Sequence, residues 1–177
     1  MTEAFLQEFE ARAGTVTAEG PEWLESVRRA AMERFARTGF PSARDEEWRF
    51  TPIAPIAQGS WRPATGGAGE LSRAELTPFV FGHAGWTTLV FVNGVYSEAL
   101  SAVGALPAGV RAASLAEVLR SDGALLQAHF SRHAPVEGSP FTALNTALMR
   151  EGGVVHVAAN VDLPAPEIGR ASCRERV

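Results

Sequence analysis

Cysteine and lysine are the conspicuous shortages of this 177-residue chain. It has a single cysteine, Cys173, close to the C-terminus, and its 16 basic residues are all arginine. Residues 1–167 therefore offer no disulfide, no cysteine-ligated zinc and no cysteine-ligated cluster. That fits a reducing cytoplasm. The lack of lysine beside abundant Ala, Gly and Pro reads as the imprint of a GC-rich bacterial genome. It also removes the Gly-Lys-Ser/Thr step of a nucleotide loop. No run of about 18 apolar residues is present, so no membrane-spanning helix is expected. The N-terminal MTEAFLQEFEARAG is acidic and has no basic n-region, so it does not read as a secretory signal. The formal charge is −4, which argues against nucleic acid or an anionic membrane as the main partner. What remains is 46% hydrophobic and 20% charged, the composition of a globular protein.

The last ten residues, IGRASCRERV at 168–177, are also the translation of ATC GGA AGA GCG TCG TGT AGG GAA AGA GTG, a common short-read sequencing adapter. They are expected to be an artefact and are set aside from fold reasoning. Cys173 goes with them. So do three arginines and one glutamate, which leaves a formal charge of −6.

Residues 2–13 read as a short helix with Phe5, Leu6 and Phe9 on one face and Gly14 closing it. Gly20 and Pro21 open a second helix over 21–38. Its expected buried stripe is Trp23, Val27, Ala30, Ala31 and Phe35, with Arg28, Arg29, Glu33 and Arg37 outside. Gly39 suits its C-terminal end, and Pro41 blocks continuation. Residues 51–69 are rich in Pro and Gly and read as an extended connector. Residues 71–80 carry no regular expectation, because Pro78 interrupts them. Residues 87–92 are apolar and β-branched, and Asn93-Gly94 then signals a tight hairpin into Val95 and Tyr96. A short strand is expected over 110–112. Ser114 and Glu117 form a capping-box pair opening a helix through Leu119, and 125–130 is helical again.

Ser139 and Pro140 read as N-cap and first helical residue. Phe141, Leu144, Ala147 and Leu148 follow at helical spacing to about Arg150. Gly152 and Gly153 stop that helix, and Val154, Val155, His156 and Val157 read as a buried strand. The expected fold class is α+β, with segments 1–64 (helical, plus connector), 65–167 (mixed α/β) and the discounted 168–177.

Four stretches occur in a telling order: TGFPSARDEEWRFT at 38–51, LVFVNGVYSEALS at 89–101, LPAGVRAASLAEVL at 106–119, and GSPFTALNTALMREGGVVHVAANV at 138–161. Together they resemble the N-terminal region of the SufB/SufD family, and the RDEEW segment is most similar to its SufD branch. The resemblance covers roughly 20–167. It implies that the mixed segment leads into a right-handed parallel β-helix, here truncated. It also implies a cytoplasmic, non-catalytic scaffold for iron–sulfur cluster assembly, pairing with SufB-like protein and the SufC-like ATPase. The family residues implicated in cluster assembly and in SufB pairing lie late in that core, beyond this sequence. No catalytic, cofactor-binding or metal-binding residue is carried over, and the protein as it stands is expected to be non-functional by itself.

Other constellations are weaker. His129 and His133 stand four apart, a spacing that lets one helix face offer two metal ligands, with Glu137 as a distant carboxylate. Phe130 stands where a metallohydrolase motif needs glutamate, and two surface histidines near a helix end is the commoner meaning. His156 reads as a core-edge or partner-facing histidine, and His83 as a loop residue. Gly66, Gly67 and Gly69 follow no strand and read as a flexible connector. Glu46 and Glu47 are adjacent and point apart. Trp23, Trp48, Trp61 and Trp86 are packing or interface anchors rather than a base-stacking array. The alternatives to a SufD-like scaffold are a SufB-like member, a small metal-dependent enzyme using His129 and His133, and an α/β interaction domain of another process.

Overall fold

The computed structural model describes Gln7 and residues 20–59, 71–80 and 85–163. The helix expected over 2–13 lies outside them apart from Gln7, which is helical. The protein divides into two compact units. Met1–Pro63 joins Ala116–Arg150, and Ala64–Leu115 joins Glu151–Val177. The first unit thus draws on segments far apart in sequence.

Helix α1, Glu22–Thr38, is the spine of the first unit. Pro21 precedes it in an extended conformation, and Glu22 and Glu25 place negative charge in its first turn, where the helix dipole favours it. It ends at Gly39, whose φ of 63° and ψ of −162° lie in a region essentially reserved for glycine. The Gly39 N–H donates to the Phe35 carbonyl at 2.7 Å. The buried stripe is Leu24, Arg28, Ala31, Met32 and Phe35. The expected stripe is thereby corrected by rotation: Ala30 is exposed and Arg28 is buried. Both registers follow a 3.6-residue period. Packing selects the one that places Met32 and Leu24 inside.

The connector expected over 51–69 is corrected in part, because Ala54–Gln58 forms the short helix α2. Pro55 in its first turn costs it no hydrogen bond, since the first-turn amides have no intrahelical acceptor. The second helical partner in the first unit follows much later. Residues Leu115–His129 form α4, broken at Asp122 (φ −155°, ψ 58°). Asp122 Oδ1 accepts from the Leu125 amide at 3.3 Å, capping the second half. This break separates the two helical stretches read from the sequence. Helix α5, Pro140–Leu148, starts as expected, with Ser139 Oγ accepting from the Phe141 amide at 3.2 Å. It stops at Leu148 rather than near Arg150. Met149 is already extended, so the end precedes Gly152. Helices α1 and α5 enclose one core of Ala31, Met32, Phe35, Ala143 and Ala147, with Phe40, Val136, Leu144 and Leu148 packed around it. Alanines at the contact let the two backbones approach closely.

In the second unit, α3 (Arg73–Leu76) carries a full capping box between Ser72 and Glu75 and runs into a 3₁₀ turn, Thr77–Phe79. Strands β1 (Phe91–Val92) and β2 (Val95–Tyr96) pair antiparallel around Asn93-Gly94, whose φ values of 52° and 77° are both positive, as a type I′ turn requires. Farther from the turn, Thr88 and Ala102 form an isolated antiparallel bridge, and the Arg73 guanidinium donates to the carbonyls of Ala99 and Ser101. Strand β3, Val110–Ser114, is longer than expected and pairs antiparallel with β4, Gly153–Val157. Leu115 N–H extends that ladder to Gly152 O at 2.7 Å. The Val-rich run after the glycines therefore closes a two-stranded antiparallel sheet. The buried strand expected there is corrected to a partly exposed one, with Val155 50% exposed, because only one strand pairs with it among the described residues. Among the described residues both sheets are antiparallel, and none of the pairing is parallel.

Candidate functional site

The loop after α1 is the most distinctive surface of the first unit. Ser42 N–H and Oγ both donate to Asp45 Oδ2, at 2.7 and 3.2 Å, and this closes the turn leading into the 3₁₀ helix Glu46–Trp48. The carboxylate reaches back three residues to the Ser42 amide, and the Asp45 N–H in turn donates to the Ser42 carbonyl at 3.0 Å. Trp48 then reaches inward: its ring lies 5.1 Å from Phe141 of α5. Phe141 lies 5.7 Å from Phe40, and Phe40 meets Phe35 edge to face at 5.1 Å. This ladder of four rings ties the RDEEW segment to the buried core. Glu46 and Glu47 stay exposed, and Phe50 is 89% exposed beneath the Arg49 guanidinium, which sits 5.5 Å from its ring centroid. The arrangement presents charged and aromatic groups on an anchored support. It suits recognition, and it brings no nucleophile, base or ligand set together.

Arg28 is a residue whose burial sequence reasoning missed. Only 6% of it is exposed, and its Nη2 donates to the Met149 carbonyl at 2.9 Å. That carbonyl lies just past the C-terminus of α5, where the helix dipole favours a cation. Burial lowers the Arg28 pKa; Glu25 acts to raise it, and Arg150 to lower it further. Its Nε has no hydrogen-bond partner among the described residues. A signal was available, since Arg28 falls one turn after Leu24 and one before Met32. Its charge masked it.

The remaining sequence candidates scatter. His129 ends α4, whereas His133 lies beyond Ser131, whose φ is 58°, so the two do not share a helix face. Both are exposed, as is Glu137. No group of three or more His, Cys, Asp or Glu able to hold a metal occurs among the described residues. His156 sits on β4 in register with Arg111. Trp23 packs edge to face on Phe130 at 5.7 Å, and Trp86 is 36% exposed. His83, Trp61, Gly66, Gly67, Gly69 and Cys173 lie outside the described residues. No helix among the described residues is long and apolar enough to cross a membrane.

Residues 1–166 match the family model described as SufBD protein N-terminal region. Over 143 residues the sequence is 29% identical to an iron-sulfur cluster assembly SufBD family protein of Synechocystis sp. (strain ATCC 27184 / PCC 6803 / Kazusa). That alignment covers 81% of this chain and 31% of the relative, so the chain spans about a third of the relative's length. No solved structure matches it. The anchored RDEEW loop, the Asn-Gly hairpin, β3 leading into α4, and α5 leading into β4 all lie within the matched span, and the chain belongs to the SufBD family, of which it carries the N-terminal region.

Proposed function

We propose that this chain is the N-terminal region of a SufD-like scaffold, which acts in iron–sulfur cluster assembly by binding and positioning protein partners. The partners are a SufB-like protein and the SufC-like ATPase, in the cytoplasm. The family match supports the process. The observation that carries the SufD reading is the loop RDEEWRF. Trp48 fixes it to Phe141, and its charged and aromatic side chains face solvent. In this reading ATP chemistry belongs to the SufC-like subunit, and cluster iron and sulfide are cargo. Residues 1–167 contain no cysteine with which to ligate a cluster. The protein would bind no cluster through this region and catalyse no reaction with it. In the longer protein the β4 segment would lead into a right-handed parallel β-helix.

The test is a chimera in which residues 1–166 replace the N-terminal region of a bacterial SufD, mixed with its SufB and SufC. Co-elution of the three as one complex is expected. A parallel chimera in SufB should assemble less well. Assembly of the SufB chimera alone would favour the SufB reading, and failure of both would refute the scaffold reading.

A further inference from the structure

The hairpin turn carries two features that together make a chemically reactive site. Asn93 and Gly94 are both exposed, and a Cβ built on Gly94 would meet nothing within 4 Å. Gly94 therefore brings no side chain to hinder its own amide nitrogen, and the side where one would stand is open. At the turn the ladder has two register pairs, Phe91 with Tyr96 and Val92 with Val95, while the Ser97 N–H bond to the Val90 carbonyl at 2.9 Å and the Thr88–Ala102 bridge tie the hairpin farther from its tip. The two-pair tip beyond those bonds frays with little free energy, because only these two pairs hold it and its turn residues face solvent. Asn93 itself is held at a φ of 52°, a left-handed conformation that an L-residue leaves readily once the ladder opens.

We infer that Asn93 is a site of spontaneous deamidation that breaks its own hairpin. On opening, the Gly94 amide nitrogen loses its proton to hydroxide and attacks Asn93 Cγ. A bond forms between that nitrogen and Cγ, the bond from Cγ to Nδ2 breaks, and ammonia leaves with the proton it acquires from water. The product is a five-membered succinimide. Water then adds to one of its two carbonyls. Opening at one restores a normal backbone with aspartate at 93. Opening at the other routes the backbone through the former side chain and gives isoaspartate. No oxidant or reductant takes part, and the only co-reactant is water. The isoaspartate backbone carries one extra methylene between Val92 and Val95, so the two-residue I′ turn no longer closes their pair. Both products add a negative charge to a protein that is already acidic.

The sequence supplies its own controls. Its three asparagines are Asn93, Asn145 and Asn160. Asn145 lies inside α5 and is followed by buried Thr146. Asn160 is exposed with a φ of 61°, similar to Asn93, but is followed by β-branched Val161. Positive φ and exposure alone would make Asn93 and Asn160 equal; the glycine neighbour separates them.

The experiment incubates the full chain in warm, mildly alkaline buffer and follows each asparagine by peptide mass spectrometry. Isoaspartate is read by an isoaspartyl methyltransferase with labelled methyl donor. Amide-to-acid conversion at Asn93 should run at least several-fold faster than at Asn160, accelerate with pH, and yield methyl-accepting product. Asn93→Gly keeps the turn and should abolish methyl acceptance by the peptide carrying residue 93, leaving any that arises at Asp122-Gly123. Hydrogen exchange at Val92 and Val95 should lose protection in step with conversion. Equal conversion at Asn93 and Asn160, or no methyl acceptance in the wild-type peptide carrying Asn93, would overturn the inference.

Discussion

Replacing Phe35 with alanine should cost the first unit about 3–5 kcal/mol, the usual range for removing a fully buried aromatic ring. Phe35 has no exposed surface. It sits in the core with Ala31, Met32, Ala143 and Ala147, and it starts the ring ladder through Phe40 and Phe141 to Trp48. The small neighbours decide the upper part of the range. Alanines on both helices cannot extend to fill the space, and among the core's five buried residues only Met32 has the flexibility to relax into it. The edge-to-face contact with Phe40 contributes about 0.5–1.5 kcal/mol of the loss. A domain commonly has about 5–15 kcal/mol in total, so this loss removes a large share of it. Urea unfolding followed by far-UV circular dichroism gives the free energy. Tryptophan emission adds a local readout, because Trp48 loses its fixed environment as the ladder opens. Phe50→Ala is the matched control: the same side chain at 89% exposure should change stability by no more than about 0.5 kcal/mol. A Phe35→Ala cost below about 1 kcal/mol, or equal effects of the two variants, would refute the assignment of this core.

Gly39→Ala should lose about 1–3 kcal/mol because its φ and ψ suit glycine alone, and thermal unfolding would show it. Ser139→Ala should lose about 1 kcal/mol through the missing cap on Phe141 N–H, with Ser139→Asp recovering most of it in the same thermal measurement. Arg28→Ala should be more destabilising than Arg28→Met, since methionine refills the space while both lose the bond to the Met149 carbonyl. The direction of the Arg28 shift fixes the pH dependence. Burial lowers the folded pKa of a base, so the penalty on its charge is present below that pKa and is relieved only as pH rises through it toward the unfolded value. The Arg28→Met effect should therefore stay constant across the neutral range in urea titrations; a change near neutrality would contradict the assignment.

Local chemistry was the legible part of the sequence. Gly39 before Pro41, Ser139 before Pro140, and Asn93-Gly94 each announce one backbone geometry, and each geometry is found at the residues that announce it. Signals that conflicted were misjudged. Ser72 and Glu75 spell a capping box, but Pro78 hid it, although that proline falls in the 3₁₀ turn that follows. Pro55 suggested an extended connector where it opens α2. Nonlocal pairing was not legible at all. Val154 to Val157 look like a buried strand whatever their neighbour, and only the fold shows them antiparallel to β3. Arg28 illustrates the same limit. Its charge says surface, while its methylenes and the Met149 carbonyl draw it inside. The recognition loop was legible as an ordered string of residues, but its anchoring through Trp48 was not.

Complementation is the most direct test of a SufD-like scaffold role in cluster assembly. A bacterium relying on its SUF system would carry SufD whose N-terminal region is replaced by residues 1–166, beside a strain with the same replacement in SufB. The SufD chimera should restore growth under iron limitation and the activity of a cluster-dependent enzyme, while the SufB chimera should not. Restoration by the SufB chimera alone, or by neither while both chimeras accumulate as folded protein, would contradict that role.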